Sequence, residues 1–242
     1  MCGRYTITVS LEELMIRYMI GAVSVPYHRP KYNVAPGQMI LAVVNDGKQN
    51  RLGELKWGLI PPWADNPKVG YSMLNARSET ASTKPAFKTP LQRKRCLIPA
   101  DGFYEWKNES GNQKKQPMRI VRKDRSLFSM AGLYETWIAA DGTTVSSCTI
   151  MTTGANSLME PIHDRMPVIL HPEDEALWLD RRVQEPQALI QLFSPYASDE
   201  LEAYPVTAAV GNVRYDEPDC INPIELPTKD PVEGNGGQME LW

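Results

Sequence analysis

Cys2 is the first residue to weigh, because a small second residue favours removal of Met1, and a cysteine left at an amino terminus carries an amine and a thiol on adjacent carbons. An α-amino group titrates near about 7.7–8.0, against about 10.4 for lysine, so a useful fraction is unprotonated at neutral pH. Such an amine attacks an aldehyde to give a Schiff base. The thiol can then close onto the same carbon, forming a five-membered thiazolidine that needs no cofactor. Taken alone, Cys2 also reads as a small apolar start to a first strand.

The chain has three histidines, so a general acid or base has few candidates. His163 lies in Pro161-Ile162-His163-Asp164-Arg165-Met166-Pro167, a polar cluster before an apolar run, where a scaffold often presents working side chains. His28 sits in a Pro- and Tyr-rich stretch, and His171 precedes Pro172, where helix capping accounts for it. Glu105 stands among aromatics in Phe103-Tyr104-Glu105-Trp106. Burial there would raise its pKa and make it a proton shuttle, whereas strand alternation would turn it outward.

Asn75 and Arg77 share one parity in Leu74-Asn75-Ala76-Arg77, so an extended backbone projects both to one face, able to hold a sugar and a phosphate together. A turn-forming Asn and a surface Arg is the plainer reading. Trp63, after Pro61 and Pro62, and Pro36, in Tyr32-Asn33-Val34-Ala35-Pro36-Gly37, offer rigid apolar faces for nucleobases, although a tryptophan more usually fills a core. The cysteines at 2, 96, 148 and 220 contain no C-x-x-C pair and, with the histidines, no zinc-ligand spacing. Free thiols and no bound metal or cofactor are expected, and no phosphate-cradling glycine loop is present.

These side chains need a frame. Ser10 and Glu13 form a capping box before Leu14, Met15 and Tyr18, which predicts an early helix, and Pro172–Leu179, with acids in its first turn, predicts a second. Short strands are expected over Arg4–Val9, Met39–Val44, Leu52–Trp57, Arg95–Ile98, Phe103–Lys107, Met118–Val121, Leu127–Ala131, Val145–Thr152 and Met166–Leu170. The expected fold class is α+β: one β-rich domain over residues 1–217, with a curved, barrel-like sheet and a few flanking helices. Residues 218–242 read as an acidic, mobile tail.

Of 242 residues, 42% are hydrophobic and 23% charged, an ordinary globular composition. The longest apolar run, Met39–Val44, is far short of the roughly 20 residues of a membrane helix. The opening residues lack a secretory pattern, so a cytoplasmic location is expected, with a monomer as the default. Net charge is −3, but residues 216–242 hold seven acids and one lysine, whereas residues 88–125 hold eleven Lys and Arg against four acids. That segment is either a solvated strand face or a phosphate-facing surface.

Taken together, Met1–Tyr5, Tyr32–Gly37, Trp57–Trp63, Leu74–Thr80, Cys96–Lys107, His163–Pro167 and Val210–Val213 resemble the SOS-response-associated peptidase (SRAP) family, abasic-site processing proteins that cross-link themselves to single-stranded DNA. The resemblance implies a substrate that suits the aminothiol, since a ring-opened abasic deoxyribose exposes an aldehyde. It implies Cys2 as covalent nucleophile, Asn75 orienting amine and sugar, Glu105 moving protons, and His163 assisting Schiff-base formation and reversal. Arg4, Arg77 and Arg165 match phosphate-holding positions, and Pro36 and Trp63 match residues that wedge against bases. Family members often carry a second tryptophan where this chain has Ala64. Autocatalytic removal of Met1, abasic-site lyase activity and a place in a DNA damage response are implied as well. Two other readings use the same residues: a general cysteine peptidase or N-terminal-nucleophile amidohydrolase, and a non-covalent single-strand binding module.

Overall fold

The computed structural model describes residues 2–25, 27–108 and 115–226. Five strands hydrogen-bond in the order Asn50–Trp57, Met39–Asn45, Arg95–Ala100, Phe128–Ile138 and Thr144–Gly154. The last closes back on the first through the parallel pairs Ser147 with Lys56 and Cys148 with Trp57, completing a barrel. Closure removes the open edges that such long strands would otherwise present. A second, antiparallel sheet runs Leu201–Pro205, Gln116–Arg122, Gly102–Lys107, Tyr5–Ile7 and Lys31–Val34.

One continuous apolar core joins the two sheets, and Tyr5 meets Trp57 edge to face with ring centroids 5.6 Å apart. A buried polar cluster ties the first strand into the second sheet: Asp101 accepts from the Thr8 amide at 2.6 Å and from Arg119 at 3.1 Å, and also takes the Thr6 hydroxyl. With both carboxylate oxygens engaged, the charge is compensated where it is buried.

The Ser10 capping box is present, with Glu13 N donating to Ser10 Oγ and Ser10 N to Glu13 Oε2, and it starts the helix Leu11–Arg17. The second expected helix is a 3₁₀ turn at Pro172–Asp174 followed by an α-helix at Glu175–Leu179. His171 makes no capping bond there; its ring stacks on Tyr196 at 4.6 Å. The run Met166–Leu170 divides at Val168 into Arg165–Pro167, paired with the closing barrel strand, and Ile169–Leu170, paired with Phe128–Ile138. Two helices carry no sequence signal, Ser78–Ala81 and Pro85–Arg93, the second with Pro90 in its interior.

The chain stays packed beyond residue 217. Asp216 accepts from the amides of Tyr32 and Asn33, and Pro218–Ile221 forms a 3₁₀ turn that buries Cys220 beneath Tyr104. The remainder of the expected tail, 227–242, lies outside the described residues, as does Met1. Among the described residues no helix is long and apolar enough to cross a membrane, and no three His, Cys, Asp or Glu side chains are grouped to hold a metal ion. All four cysteines are free and buried.

Candidate functional site

Asn75, Ala76 and Arg77 form a three-residue strand that pairs in parallel with Ile150, Met151 and Thr152 of the closing barrel strand. Ala76 is buried and Arg77 exposed, so the parity argument holds: Ala76 anchors the strand and its neighbours face the other way. Trp57 Nε1 fixes the entry by donating to Leu74 O at 3.0 Å. Asn75 Nδ2 then donates to the carbonyl oxygen of Cys2, also at 3.0 Å. This bond sets the amide orientation and leaves Asn75 Oδ1 buried without a partner among the described residues. An acceptor so placed beside Cys2 is available to an amine or a sugar hydroxyl.

Cys2 is fully buried. Burial pushes its thiol pKa up, and the nearby Glu105 carboxylate pushes it further in the same direction, so sulfur is held as S–H. Glu105 is buried on the strand Gly102–Lys107, where Phe103 and Tyr104 are fully enclosed as well, so simple outward alternation does not apply. Desolvation raises the Glu105 pKa above its ordinary value, and His163 acts against that rise. The mutual electrostatics therefore place Cys2, Glu105 and His163 in one neighbourhood, with Asn75 bonded to the same cysteine.

His163 Nδ1 accepts the Arg165 backbone N–H at 3.0 Å and lies 2.8 Å from Asp164 Oδ1. The backbone donor cannot turn away, whereas Asp164 is 83% exposed.

The three expected phosphate contacts differ in setting. Arg77 is exposed. Arg165 is held in place, its Nη2 donating to Thr152 O at 2.7 Å and its two terminal nitrogens pairing with the Glu79 carboxylate. Arg4 is 9% exposed and donates to Asn33 Oδ1 and to the carbonyls of Val210 and Gly211. In this arrangement Arg4 pins the Val210-Gly211 turn to the first strand.

Trp63 is 60% exposed, as stacking requires and as a core role would not allow. It lines a cavity of about 310 Å³ with Asn75, Met73, Lys84, Pro85 and Phe87. Its loop is tied down by Trp137 Nε1 donating to Ala64 O at 2.7 Å. Pro36 is half-buried, and the Gly37 that follows it has φ +84° and would bring a side chain against Tyr71.

Among the described residues, five of the eleven cations in the basic segment have partners within the fold. Arg95 donates into the carbonyls of Leu91, Gln92 and Trp178, Arg119 pairs with Asp101, Arg122 with Asp124, Arg125 with Glu202, and Lys94 with Glu135. Two residues that sequence reasoning does not single out are Glu79, which pairs with Arg165, and Lys84, which lines the Trp63 cavity.

Residues 1–213 match the family described as SOS response associated peptidase (SRAP). The chain is 49% identical over 223 residues to the abasic site processing protein YoqW of Bacillus subtilis (strain 168), covering 91% of this chain and 99% of that one. It is 29% identical to the abasic site processing protein HMCES of Mus musculus, over 88% of this chain and 70% of that one. A crystal structure of a Bacteroides thetaiotaomicron protein superimposes with a TM-score of 0.84 at 26% identity, covering 93% of this chain and 100% of that chain. This chain belongs to the SRAP family.

Proposed function

We propose that the protein processes abasic sites in single-stranded DNA, capturing the ring-opened sugar as a covalent thiazolidine on Cys2. The bond from Asn75 Nδ2 to the Cys2 carbonyl carries the reading, supported by a buried Glu105 whose charge acts on the Cys2 thiol and is itself acted on by His163. Hydrolysis of the Met1–Cys2 bond, by this protein or by an aminopeptidase, frees the amine. The amine adds to the sugar C1 and the carbinolamine loses water, giving a Schiff base. The thiol then adds across C=N: the C–S bond forms as the S–H proton passes, by way of Glu105, to nitrogen. One water is lost overall.

Each neighbour has a task in that sequence. Asn75 holds the Cys2 carbonyl and offers Oδ1 to the amine or sugar hydroxyl, fixing attack geometry. Glu105, with its raised pKa, exchanges protons nearer neutrality than an ordinary carboxylate. His163 assists dehydration and reversal. Arg77 and Arg165 take flanking phosphates, while Pro36 and Trp63 stack against bases. A Schiff base also acidifies the neighbouring sugar carbon, so β-elimination and strand cleavage compete with ring closure as lyase chemistry. No cofactor enters this scheme; the protein acts as a cytoplasmic monomer.

A general cysteine peptidase needs the reverse electrostatics, a thiolate favoured by a depressed pKa. Burial and Glu105 both favour the thiol here. Incubation with abasic, intact and reduced abasic single strands, followed by a denaturing gel, tests the proposal. The expected result is a detergent-stable band with the aldehyde-bearing strand alone. Equal retention of all three, or hydrolysis of simple amides without any such band, would contradict it.

A further inference from the structure

Glu79 occupies the edge of Arg165 that a phosphate would use. Arg165 Nη1 meets Glu79 Oε1 and Nη2 donates to Oε2 at 2.9 Å, the two parallel bonds by which a guanidinium also receives two oxygens of a phosphate. Nη2 is shared with Thr152 O at 2.7 Å, and Nε is enclosed without a partner among the described residues, so the face turned to Glu79 is the one left for a ligand. The cation is 12% exposed and held by the barrel strand, whereas the carboxylate is 53% exposed at the start of the short helix Ser78–Ala81. The fixed member is thus the arginine and the displaceable one the glutamate. Thr152 also stands opposite Arg77 in the strand register, which puts the second cation expected to hold a phosphate beside the same pair.

We propose that Glu79 is an internal phosphate mimic that gates Arg165, lowering affinity for intact single strands so that stable retention depends on covalent capture at Cys2. The inference rests on Arg165 being a DNA contact, as proposed above. A strand that engages Arg165 replaces one anion by another, so little net attraction is gained there, and the displaced carboxylate stays near the backbone and repels it. Exposed charges a few ångströms apart interact by about 1 kcal/mol in water, roughly fivefold in an equilibrium constant. Each phosphate neutralised on a single strand contributes about 0.7 to the slope of log K against log salt.

Binding of an intact fluorescent oligonucleotide by fluorescence anisotropy, over a salt series, is the test. Glu79→Gln is expected to tighten binding about fivefold and steepen the salt slope by about 0.7, with Glu79→Ala giving the same direction. In an Arg165→Gln background the same change is expected to give a clearly smaller gain, only the residual relief of repulsion between Glu79 and the strand. Unchanged or weaker binding by both Glu79 variants would overturn the gate. So would an equal gain in the Arg165→Gln background, which would mark a general charge effect. Cross-linking of wild-type protein to an abasic strand is scored in parallel: its absence counts against the abasic-site reading, whereas normal cross-linking with no Glu79 effect counts against the gate alone.

Discussion

Asn75 Nδ2 donates to the backbone carbonyl of Cys2 across 3.0 Å, so a side chain 73 positions away fixes the residue proposed to carry the reactive groups. Replacing it by alanine removes the donor and strands a buried carbonyl, a loss of about 1–3 kcal/mol. Single-turnover cross-linking by Asn75→Ala is expected to slow roughly 5- to 150-fold, with the melting temperature falling by about 2–12 °C. An unchanged rate would remove Asn75 from the mechanism.

Glu105 links activity to stability in opposite directions. Its pKa is raised above the ordinary 4.5 by burial, so the folded protein holds this proton more tightly than the unfolded chain. The stabilisation is fully present below the ordinary value and is lost as pH rises through the raised one. Glu105→Gln is therefore expected to melt higher than wild type at neutral pH, with the gap closing in acid, while its cross-linking rate falls about 100-fold. Calorimetry from acid to neutral pH, set against single-turnover rates, checks both signs; a lower melting point at neutral pH would contradict the electrostatics.

Gly58 and Gly70 approach each other so closely that a side chain on either collides with the other's backbone. A Cβ at Gly58, where φ is +127°, would lie 2.7 Å from Gly70 O, and one at Gly70 would lie 2.6 Å from Gly58 O. This contact holds the loop carrying Trp63 against the turn that leads to Asn75. Alanine at position 58 is expected to cost about 1–3 kcal/mol from backbone strain, with the collision adding to it, measurable as a lowered denaturant midpoint.

Exposed Trp63 predicts the converse pattern. Trp63→Ala is expected to change stability by less than about 0.5 kcal/mol while weakening single-strand binding by about 1–3 kcal/mol. Ala64→Trp is expected to strengthen that binding by adding a second stacking face. Equilibrium titrations with a short intact oligonucleotide distinguish these effects from a folding defect.

Much of this site is legible in the amino-acid sequence. The shared parity of Asn75 and Arg77 and the Ser10 capping box are local patterns, and local patterns survive folding. The convergence of residues 2, 75, 105 and 163 is not local, and in the sequence only the family resemblance brings them together. In the basic segment a count of Lys and Arg cannot distinguish Arg95, which donates to helix-end carbonyls, from an arginine open to solvent. Pro85–Arg93 escapes a pattern reading because Pro90 looks like a helix breaker, and buried Pro90 and Leu91 show that packing offsets that penalty. The extension of ordered packing through Cys220 is hidden by composition, since an acidic, Pro-containing stretch still buries one cysteine under Tyr104.

Intact-mass analysis, before and after mixing with a single-stranded oligonucleotide that contains one abasic site, tests covalent capture most directly. The starting mass reports whether Met1 has been removed. A gain equal to one oligonucleotide less one water, absent with intact DNA and absent in Cys2→Ala, is the predicted result. A protein that already lacks Met1 and shows no gain, or a full gain in Cys2→Ala, would contradict it.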